Sequence, residues 1–436
     1  MAAGLELLTR KLQSALDNRD EEGRLIDPPD SATLAEMIDF GSNDSLSLSS
    51  SGVLSTAFLC ELEKHPGFTV GSTSSRILDG TKQYLELIER DLAQFHGAES
   101  AMFFNSGYDA NVAIWSALPQ PGDFIVFDEF VHASIHDGMR NGRATTVSYE
   151  HNDCVSLRNC LKEIHDQNSA VSNGEQIIFL PLESFYSVDG DIAPVHELIQ
   201  VVRDALPRGN YVLSMDEAHS NGVVGPNGSG FICHYGLERE FPIRLQTCGK
   251  GLGSTGALVL ANETVKVSLL NYARNIVFST APSFLTVSAV RAGYNLLASQ
   301  EGEKRRHQLQ ENLRYFYQSL TASSWWKEAK QQGIFSLSTE ETWRREPFLA
   351  PIIALVVQPG KARDLTQRLH QIKFWVNLVN FPLVPKGKDR IRIVIHADNT
   401  RDQIQAIMRV IRGWAREQME HDGKRVGDAK NERLRS

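Results

Sequence analysis

The chain is short of cysteine pairs, basic patches and long apolar runs, and each shortage excludes something. It has five cysteines in 436 residues. Cys60, Cys154, Cys160, Cys233 and Cys248 are scattered, odd in number and form no C-x-x-C pair. That excludes a disulfide framework and a structural zinc, leaves no metal site to expect, and points to a reducing, cytoplasmic compartment. No apolar run approaches the ~18 residues that cross a bilayer, so no membrane partner is expected. The net charge is −8 and no basic stripe runs along any segment, which argues against nucleic acid as a partner. The N-terminus lacks the charged-then-apolar order of a signal peptide, and Glu6, Asp17, Asp20, Glu21 and Glu22 do not suit a mitochondrial leader. The final RLRS is not a peroxisomal tripeptide, and no internal repeat is present.

What is there suits a soluble globular enzyme: 42% hydrophobic and 22% charged residues over a length that makes two or three domains. Residues 1–52 read as an N-terminal helix, with Leu5, Leu8, Leu12 and Leu16 at helical spacing, followed by a polar docking arm. The helix is expected to pack on the body or on a partner subunit. Residues 53–290 read as a large α/β domain and 291–418 as a smaller α+β domain with strands PIIALVV, FWVNLV and RIRIVI. The mixed-charge residues 419–436 read as a disordered tail. In the large domain, near-continuous apolar strands alternate with helices, the pattern of a mostly parallel sheet covered on both faces. GALVLA, 256–261, follows its predecessor closely enough to pair antiparallel with a neighbour. Residues 82–96 form an amphipathic helix with Leu85, Ile88, Leu92 and Phe95 on one face.

Ligands in such sheets bind beyond the carboxyl ends of the strands. His132, Ser187, Asp216, His219 and Lys250 each follow a predicted strand in that way. Lys250 stands out, a lone lysine in the glycine-rich stretch LQTCGKGLGSTGA. A free lysine has a pKa near ~10.4; burial and nearby positive charge lower it, and the neutral amine then forms Schiff bases with carbonyl cofactors. A P-loop is excluded, because Arg244 stands where its first glycine should be and Gly251 follows the lysine in place of Ser or Thr. The cofactor that joins a lysine and sets an acid against its ring nitrogen is pyridoxal phosphate. Asp216 would supply that acid, His219 would reach the ring hydroxyl, His132 would stack on the ring, and Thr247 with the amides of Gly107 and Tyr108 would hold the phosphate at a helix N-terminus. Taken singly, Asp216 is equally a cap or a salt-bridge partner, His132 a satisfied core histidine, and Asn43 an Asx-turn residue.

The stretches FGSNDSLSLS, GSTSSRILDG, HGAESAMFFNSGYDAN, DEFVHASIHDGMR, SVDGDIAP, DEAHSNGVVGPNGSG, TCGKGLGSTGA, YARNIVFST and RIRIVIHA, in this order over roughly 35–400, resemble the α-oxoamine synthases. Within that family the likeness is to its 8-amino-7-oxononanoate synthase branch, in a fungal form. The resemblance implies a fold-type I pyridoxal-phosphate transferase, with a mostly parallel seven-stranded sheet in the large domain, and an obligate homodimer. It implies a decarboxylative condensation of an amino acid with an acyl-CoA or acyl-carrier-protein thioester, giving an α-amino ketone. Lys250 would join the cofactor and later act as base. Asp216 would pair with the pyridinium and His132 would stack. Ser187 and His219 would contact the ring oxygen, and Gly107, Tyr108 and Thr247 would hold the phosphate together with Thr280 of the other subunit. Asn43 and Arg392 would bind the amino-acid carboxylate, and Arg76 is a further substrate-binding candidate. Ser75, where glycine-using members tend to have threonine, favours alanine or serine over glycine. Thr73, Ser74, Phe185 and Ser220 depart from the smaller residues usual in the family and are expected to reshape the acyl pocket. This leaves two alternatives open: a polyketide or fatty acyl thioester in secondary metabolism in place of a biotin-pathway substrate, and a simple aminotransferase.

Overall fold

The computed structural model describes residues 2–22, 24–25, 28–381 and 383–433. Its central sheet has seven strands: β1 (Ser100–Phe104), β2 (Phe124–Asp128), β3 (Thr145–Tyr149), β4 (Ile178–Glu183), β5 (Tyr211–Asp216), β6 (Ile243–Thr247) and β7 (Ala257–Ala261), in the order β1-β7-β6-β5-β4-β2-β3. Pairing is parallel from β6 through β3 and antiparallel on both sides of β7. Residues 248–256, which join β6 to β7, are too few for a crossover helix, so β7 must run back against β6. Pairing antiparallel to β7 in turn makes β1 parallel to β6. Every strand except β7 therefore ends at one rim. All residues of β1, β4, β6 and β7 are buried; β6 is the polar member, burying Arg244, Gln246 and Thr247.

Helix α1 (Ala2–Glu21) carries the predicted leucine stripe, but Leu5, Leu8, Leu12 and Leu16 are 46–66% exposed. The stripe, expected to pack on the body or on a partner subunit, is thus largely open in the single chain. The arm that follows does dock. Ile38–Asp39 pairs in parallel with Phe374–Trp375, and the Phe40 and Phe374 rings lie 5.9 Å apart.

Helix α2 (Gln83–Phe95) buries Leu85, Ile88 and Leu92 as its periodicity predicts, and it also buries Glu89. Glu89 accepts from Arg76 at 3.0 Å through Oε2, and through Oε1 from Arg76 and from the Phe103 N–H at 2.7 Å. Lys266 Nζ stands 3.1 Å from the same carboxylate. Arg76 thus ties the 71–80 loop to α2 and β1, with its guanidinium on Glu89 and the Phe103 carbonyl and not free for a substrate in this chain.

Two helices begin at the carboxyl rim. Ser106 caps α3 (Gly107–Ala117), its hydroxyl accepting from the Asp109 N–H, and His132 caps α4 (Ala133–Asn141) through its ring. The smaller region holds an antiparallel sheet of β8 (Phe335–Leu337), β9 (Ile352–Val357), β10 (Asn377–Val379) and β11 (Arg390–Val394), ordered β10-β11-β9-β8. FWVNLV, expected as one strand, divides at Val376: its first two residues pair with the arm and its last three with β11. The final helix, α5 (Arg401–Arg433), runs through most of the segment expected to be disordered; residues 434–436 lie outside the described residues. Its first turns are anchored by Ile404, Ile407, Ile411 and Trp414, and a helix once nucleated propagates through good formers such as Glu, Lys, Arg and Ala. Among the described residues, no helix is long and apolar enough to cross a membrane.

Removing one member of a buried ion pair strands the other. Arg76→Ala should therefore cost about 3–5 kcal/mol. A denaturant midpoint measures this, and an amino-acid KM unchanged from the parent would separate the structural role from a substrate contact.

Candidate active site

Lys250 stands three residues beyond the end of β6. Its Nζ lies 3.0 Å from His219 Nε2. Burial lowers the lysine pKa, against the opposing pull of Asp216 and Glu183, and Arg392 lowers it further. His219, 6% exposed, is held well below the usual histidine range by burial and by the charge of Lys250. The amine thus faces an imidazole that stays neutral and accepts a proton poorly.

Asp216 ends β5. Its Oδ1 accepts the Ala218 N–H at 2.9 Å and its Oδ2 accepts Asn111 Nδ2 at 2.8 Å. Asn111 also donates to Ser134 Oγ at 3.0 Å, which sits 2.7 Å from His132 Nδ1. The Ser134 N–H also points at this nitrogen, which makes Nδ1 the acceptor of the neutral ring. Burial and the charge of Lys250 lower the His132 pKa. The His132 N–H donates to Glu183 Oε1 at 2.5 Å. Glu183 is buried, and desolvation together with Asp216 raises its pKa well above the carboxylate range.

Arg392 comes from β11 and reaches across to the large domain. Its Nε donates to the Ser187 carbonyl and its Nη2 to Asn43 Oδ1, both at 2.9 Å. Burial lowers its pKa to about 10. Asn43, His132, Ser187, His219, Lys250 and Arg392 line one cleft of about 480 Å³, with Phe130, Val131, Val188, Val379 and Leu383 adding apolar wall. At one end of this array Gly107 begins α3 so close to Thr247 that a Cβ would collide with Thr247 Oγ1. Glycine keeps that space open beside the unpaired amides of the helix N-terminus, the arrangement that receives a phosphate.

The structure therefore brings together Asn43, Gly107, His132, Ser187, Asp216, His219, Thr247, Lys250 and Arg392. Tyr108 is 44% exposed, its hydroxyl on Asp137. Ser75 and Thr280 do not line this cleft; they face each other across an isolated antiparallel bridge. Phe185 and Ser220, expected to reshape the acyl pocket, do not line it either. Phe185 is 1% exposed and packs on Phe231 and Phe348, while the Ser220 hydroxyl is buried against Ser184 and Glu217. Three contributors escape the sequence reading: Asn111, Ser134 and Glu183. A signal existed for two of them, since Asn111 interrupts the apolar helix NVAIW and Glu183 ends an otherwise apolar strand.

Comparison with known proteins agrees with this geometry. The sequence profile described as "Aminotransferase class I and II" matches residues 35–411. The chain is 40% identical to aminoacyl transferase sphA of Aspergillus fumigatus, over 94% of this chain and 88% of that one. It is 37% identical to an 8-amino-7-oxononanoate synthase of Emericella nidulans, over 86% of this chain and 89% of that one. Among solved structures, a serine palmitoyltransferase of S. paucimobilis with a bound PLP–myriocin aldimine superposes with a TM-score of 0.74 at 26% identity, covering 87% of this chain and 88% of its own.

The cleft wall is braced by a charged histidine. Phe130 stacks on His151 at 4.4 Å, and His151 donates to Asp128 and Asp191 at 2.8 Å each. Burial pulls the His151 pKa down, but the two carboxylates outweigh it and raise it to about 10. A raised folded-state pKa gives stability that is complete below the unfolded value of ~6.5 and lost as pH rises through the folded value. The unfolding midpoint should therefore fall between pH 7 and pH 10, and this fall should shrink in His151→Gln. Equal slopes for parent and variant in denaturant titrations would contradict it.

Proposed function

Because this chain belongs to the class I and II aminotransferase family and, within it, to the α-oxoamine synthases, fold-type I acyltransferases that depend on pyridoxal phosphate, we propose that it condenses a small amino acid with an acyl thioester and releases carbon dioxide, giving an α-amino ketone. The observation that carries this reading is one cleft with a desolvated lysine amine at its floor and a buried arginine at its side. The residues present fit the cofactor. The Gly107–Thr247 recess and the α3 amides suit its phosphate, Asp216 suits its ring nitrogen, and the neutral ring of His132 suits its face. When bound, pyridoxal phosphate supplies an aldehyde for the lysine and an electron sink for the carbon that bears the amino group.

The chain's own residues do the rest. Arg392, with Asn43 against its guanidinium, takes the amino-acid carboxylate as a charge-assisted pair. Its anchor on the Ser187 carbonyl fixes where that carboxylate lies. Lys250, whose lowered pKa leaves more of the amine neutral, removes the proton from the amino acid's Cα, and later returns one to the product carbon. His219 and Ser187 would hold the oxygen of the cofactor's ring hydroxyl. The apolar wall formed by Phe130, Val131, Val379 and Leu383 suits an acyl chain arriving from the open side.

A homodimer completes the site in this reading. Thr280 is exposed, and around it Phe278 is 72%, Tyr272 71% and Leu78 74% exposed, an apolar surface that a second copy would cover. Because Ser75 is bridged to Thr280, both would reach the partner's site together. Ser75 is smaller than threonine and leaves room for a Cα substituent, so alanine is the favoured amino acid.

A second reading of the acyl partner has its own support. The aminoacyl transferase relative is matched at higher identity and over more of this chain than the 8-amino-7-oxononanoate synthase. This favours an acyl group other than the pimeloyl group of a biotin pathway, with a polyketide or fatty acyl thioester as the alternative to test. Mass spectrometry of products from labelled alanine and a thioester panel separates the two: pimeloyl turnover alone restores the biotin-pathway reading. Label passing from alanine into pyruvate, with unlabelled pyruvate as acceptor and no thioester present, would point to an aminotransferase instead. Borohydride should fix the cofactor onto the peptide that contains Lys250, and Lys250→Ala should lose both this label and the condensation. Glycine should be used several-fold less well than alanine, with Ser75→Thr narrowing the gap; a strong glycine preference in the parent would refute the role given to Ser75.

A further inference from the structure

A chain of buried polar side chains runs up to the strand end that carries Lys250, and the reaction assigned to that lysine makes no use of it. His96 follows α2, Tyr294 comes from the helix Phe284–Leu297, and Asn221 lies in the turn after β5. His96 and Asn221 are fully buried and Tyr294 is 3% exposed. His96 Nδ1 lies 3.0 Å from the Ser229 carbonyl, and its Nε2 lies 3.0 Å from the Tyr294 hydroxyl. Asn221 Nδ2 stands 3.2 Å from that hydroxyl and 3.0 Å from the Thr247 carbonyl. The direction of each bond follows from its end groups. A carbonyl only accepts, so His96 Nδ1 carries the proton toward Ser229. Burial and the charge of Arg244 hold the His96 pKa at about 3, so the ring is neutral and Nε2 is bare. Nε2 therefore accepts the Tyr294 O–H. The Tyr294 oxygen then accepts one proton of the Asn221 amide, and the Thr247 carbonyl accepts the other.

Asn221 fills a place that the sheet leaves open. β5 pairs with β6 as far as Asp216 opposite Leu245, and the Glu217 N–H donates to the Leu245 carbonyl. The chain then turns away, so the Thr247 carbonyl, two residues on, meets a side chain where the ladder would have placed a strand. The same residue reaches the far side of the lysine. A Cβ on Gly251 would come within 2.8 Å of the Asn221 carbonyl, so the chain on both sides of Lys250 rests against Asn221. His219 stands two residues before it in one turn, which the Ser220 and Asn221 N–H groups close onto the Glu217 carbonyl at 3.1 and 2.9 Å.

We infer that Asn221 is a positioning residue for the reaction: it ties the turn that carries His219 to the strand end that carries Lys250, and so sets the 3.0 Å approach of His219 Nε2 to the lysine amine. Tyr294 and His96 act through it, by holding its amide in one orientation. The inference rests on the reading of Lys250 as the lysine that joins the cofactor. Two variants separate the tie from packing. Tyr294→Phe keeps the ring against Phe95 and His96 and removes the hydroxyl that orients Asn221. Asn221→Leu fills a similar volume and removes both donors.

The test reads two quantities on the holoprotein: the steady-state constants, and the pH midpoint of the visible band of the lysine-bound cofactor. Asn221→Leu should lower kcat about tenfold or more, because small misplacements of a reacting group are costly. Tyr294→Phe should lower it several-fold. The amino-acid KM should stay within about twofold of the parent in both, since Arg392 and Asn43 are untouched. The band midpoint should move upward, as a lysine held less tightly is better hydrated. In the Asn221→Leu background Tyr294→Phe should add little, because its effect passes through Asn221. A parent kcat and midpoint in Tyr294→Phe, costs of the two changes that add in full, or a KM that rises in step with the loss of kcat would each overturn the inference. If Asn221→Leu does not fold, Tyr294→Phe and its band midpoint decide alone. Absence of a lysine-bound band in the parent would defeat the reading of Lys250 and this inference with it; a parent band that neither variant moves would defeat this inference only.

Discussion

Desolvation at the carboxyl rim of the sheet is the constraint on which the rest of this structure depends. Asp216, Glu183 and His219 are buried there with Lys250 half-buried among them, His132 stands at the open edge, and burial penalises whichever of them is charged. The penalty does not fall evenly. Asp216 holds two donors, from Ala218 and Asn111. Glu183 has the His132 N–H and is otherwise pushed toward its neutral form by the charge of Asp216. The two histidines are pushed toward neutrality by the lysine. Burial of Lys250 thus favours the neutral amine, the form that acts as a nucleophile.

The same rim is held by contacts from the smaller domain. Arg392 donates to Ser187, and Arg390 pairs with Asp189, so two alternate residues of β11 grip one turn after β4. The turn is closed by the bridge between Phe185 and Ile192. Gly190 in it has φ +68°, and a Cβ there would run into the Ile352 carbonyl. A larger residue would push the turn off β9 and loosen both arginines. The position of Arg392 therefore rests on packing between two sheets and not on the cleft residues alone.

Legibility in the sequence follows from how local each signal is. The sheet reads directly, because IFLPLE and YVLSMD are largely apolar runs ended by an acid, and the nine residues between β6 and β7 dictate the single reversal. Lys250, Asp216 and His219 read from glycine context and strand ends for the same reason. Arg76 misreads because a lone arginine in a glycine–serine loop looks like a ligand for an anion. Its true partner, Glu89, sits next to Ile88 on the inward face of an amphipathic helix, where periodicity shows the leucines and hides the acid. Phe185 and Ser220 misread because proximity in sequence to Ser187 and His219 says nothing about which side of the backbone faces the cleft. The link from Asp216 through Asn111 and Ser134 to His132 joins β5, α3 and α4, and no window of sequence contains it.

Ser75 and Thr280 show the same limit and carry it into assembly. They lie 205 positions apart in the chain, yet they form a bridge, and the Ala281 N–H donates to the Ser74 carbonyl beside it. The two loops are one unit. The buried Arg76–Glu89 pair fixes that unit to the body of its own chain, one residue from Ser75. A unit fixed in this way cannot swing into its own cleft without breaking a buried ion pair, which costs several kcal/mol. If Thr280 and Ser75 serve a site at all, they serve one brought to them, and the exposed Leu78, Tyr272 and Phe278 around them are where a second copy gains most by docking. Amino-acid selection by Ser75 and formation of the homodimer are then a single property, because the residue that would distinguish alanine from glycine is positioned by the chain that does not hold the substrate.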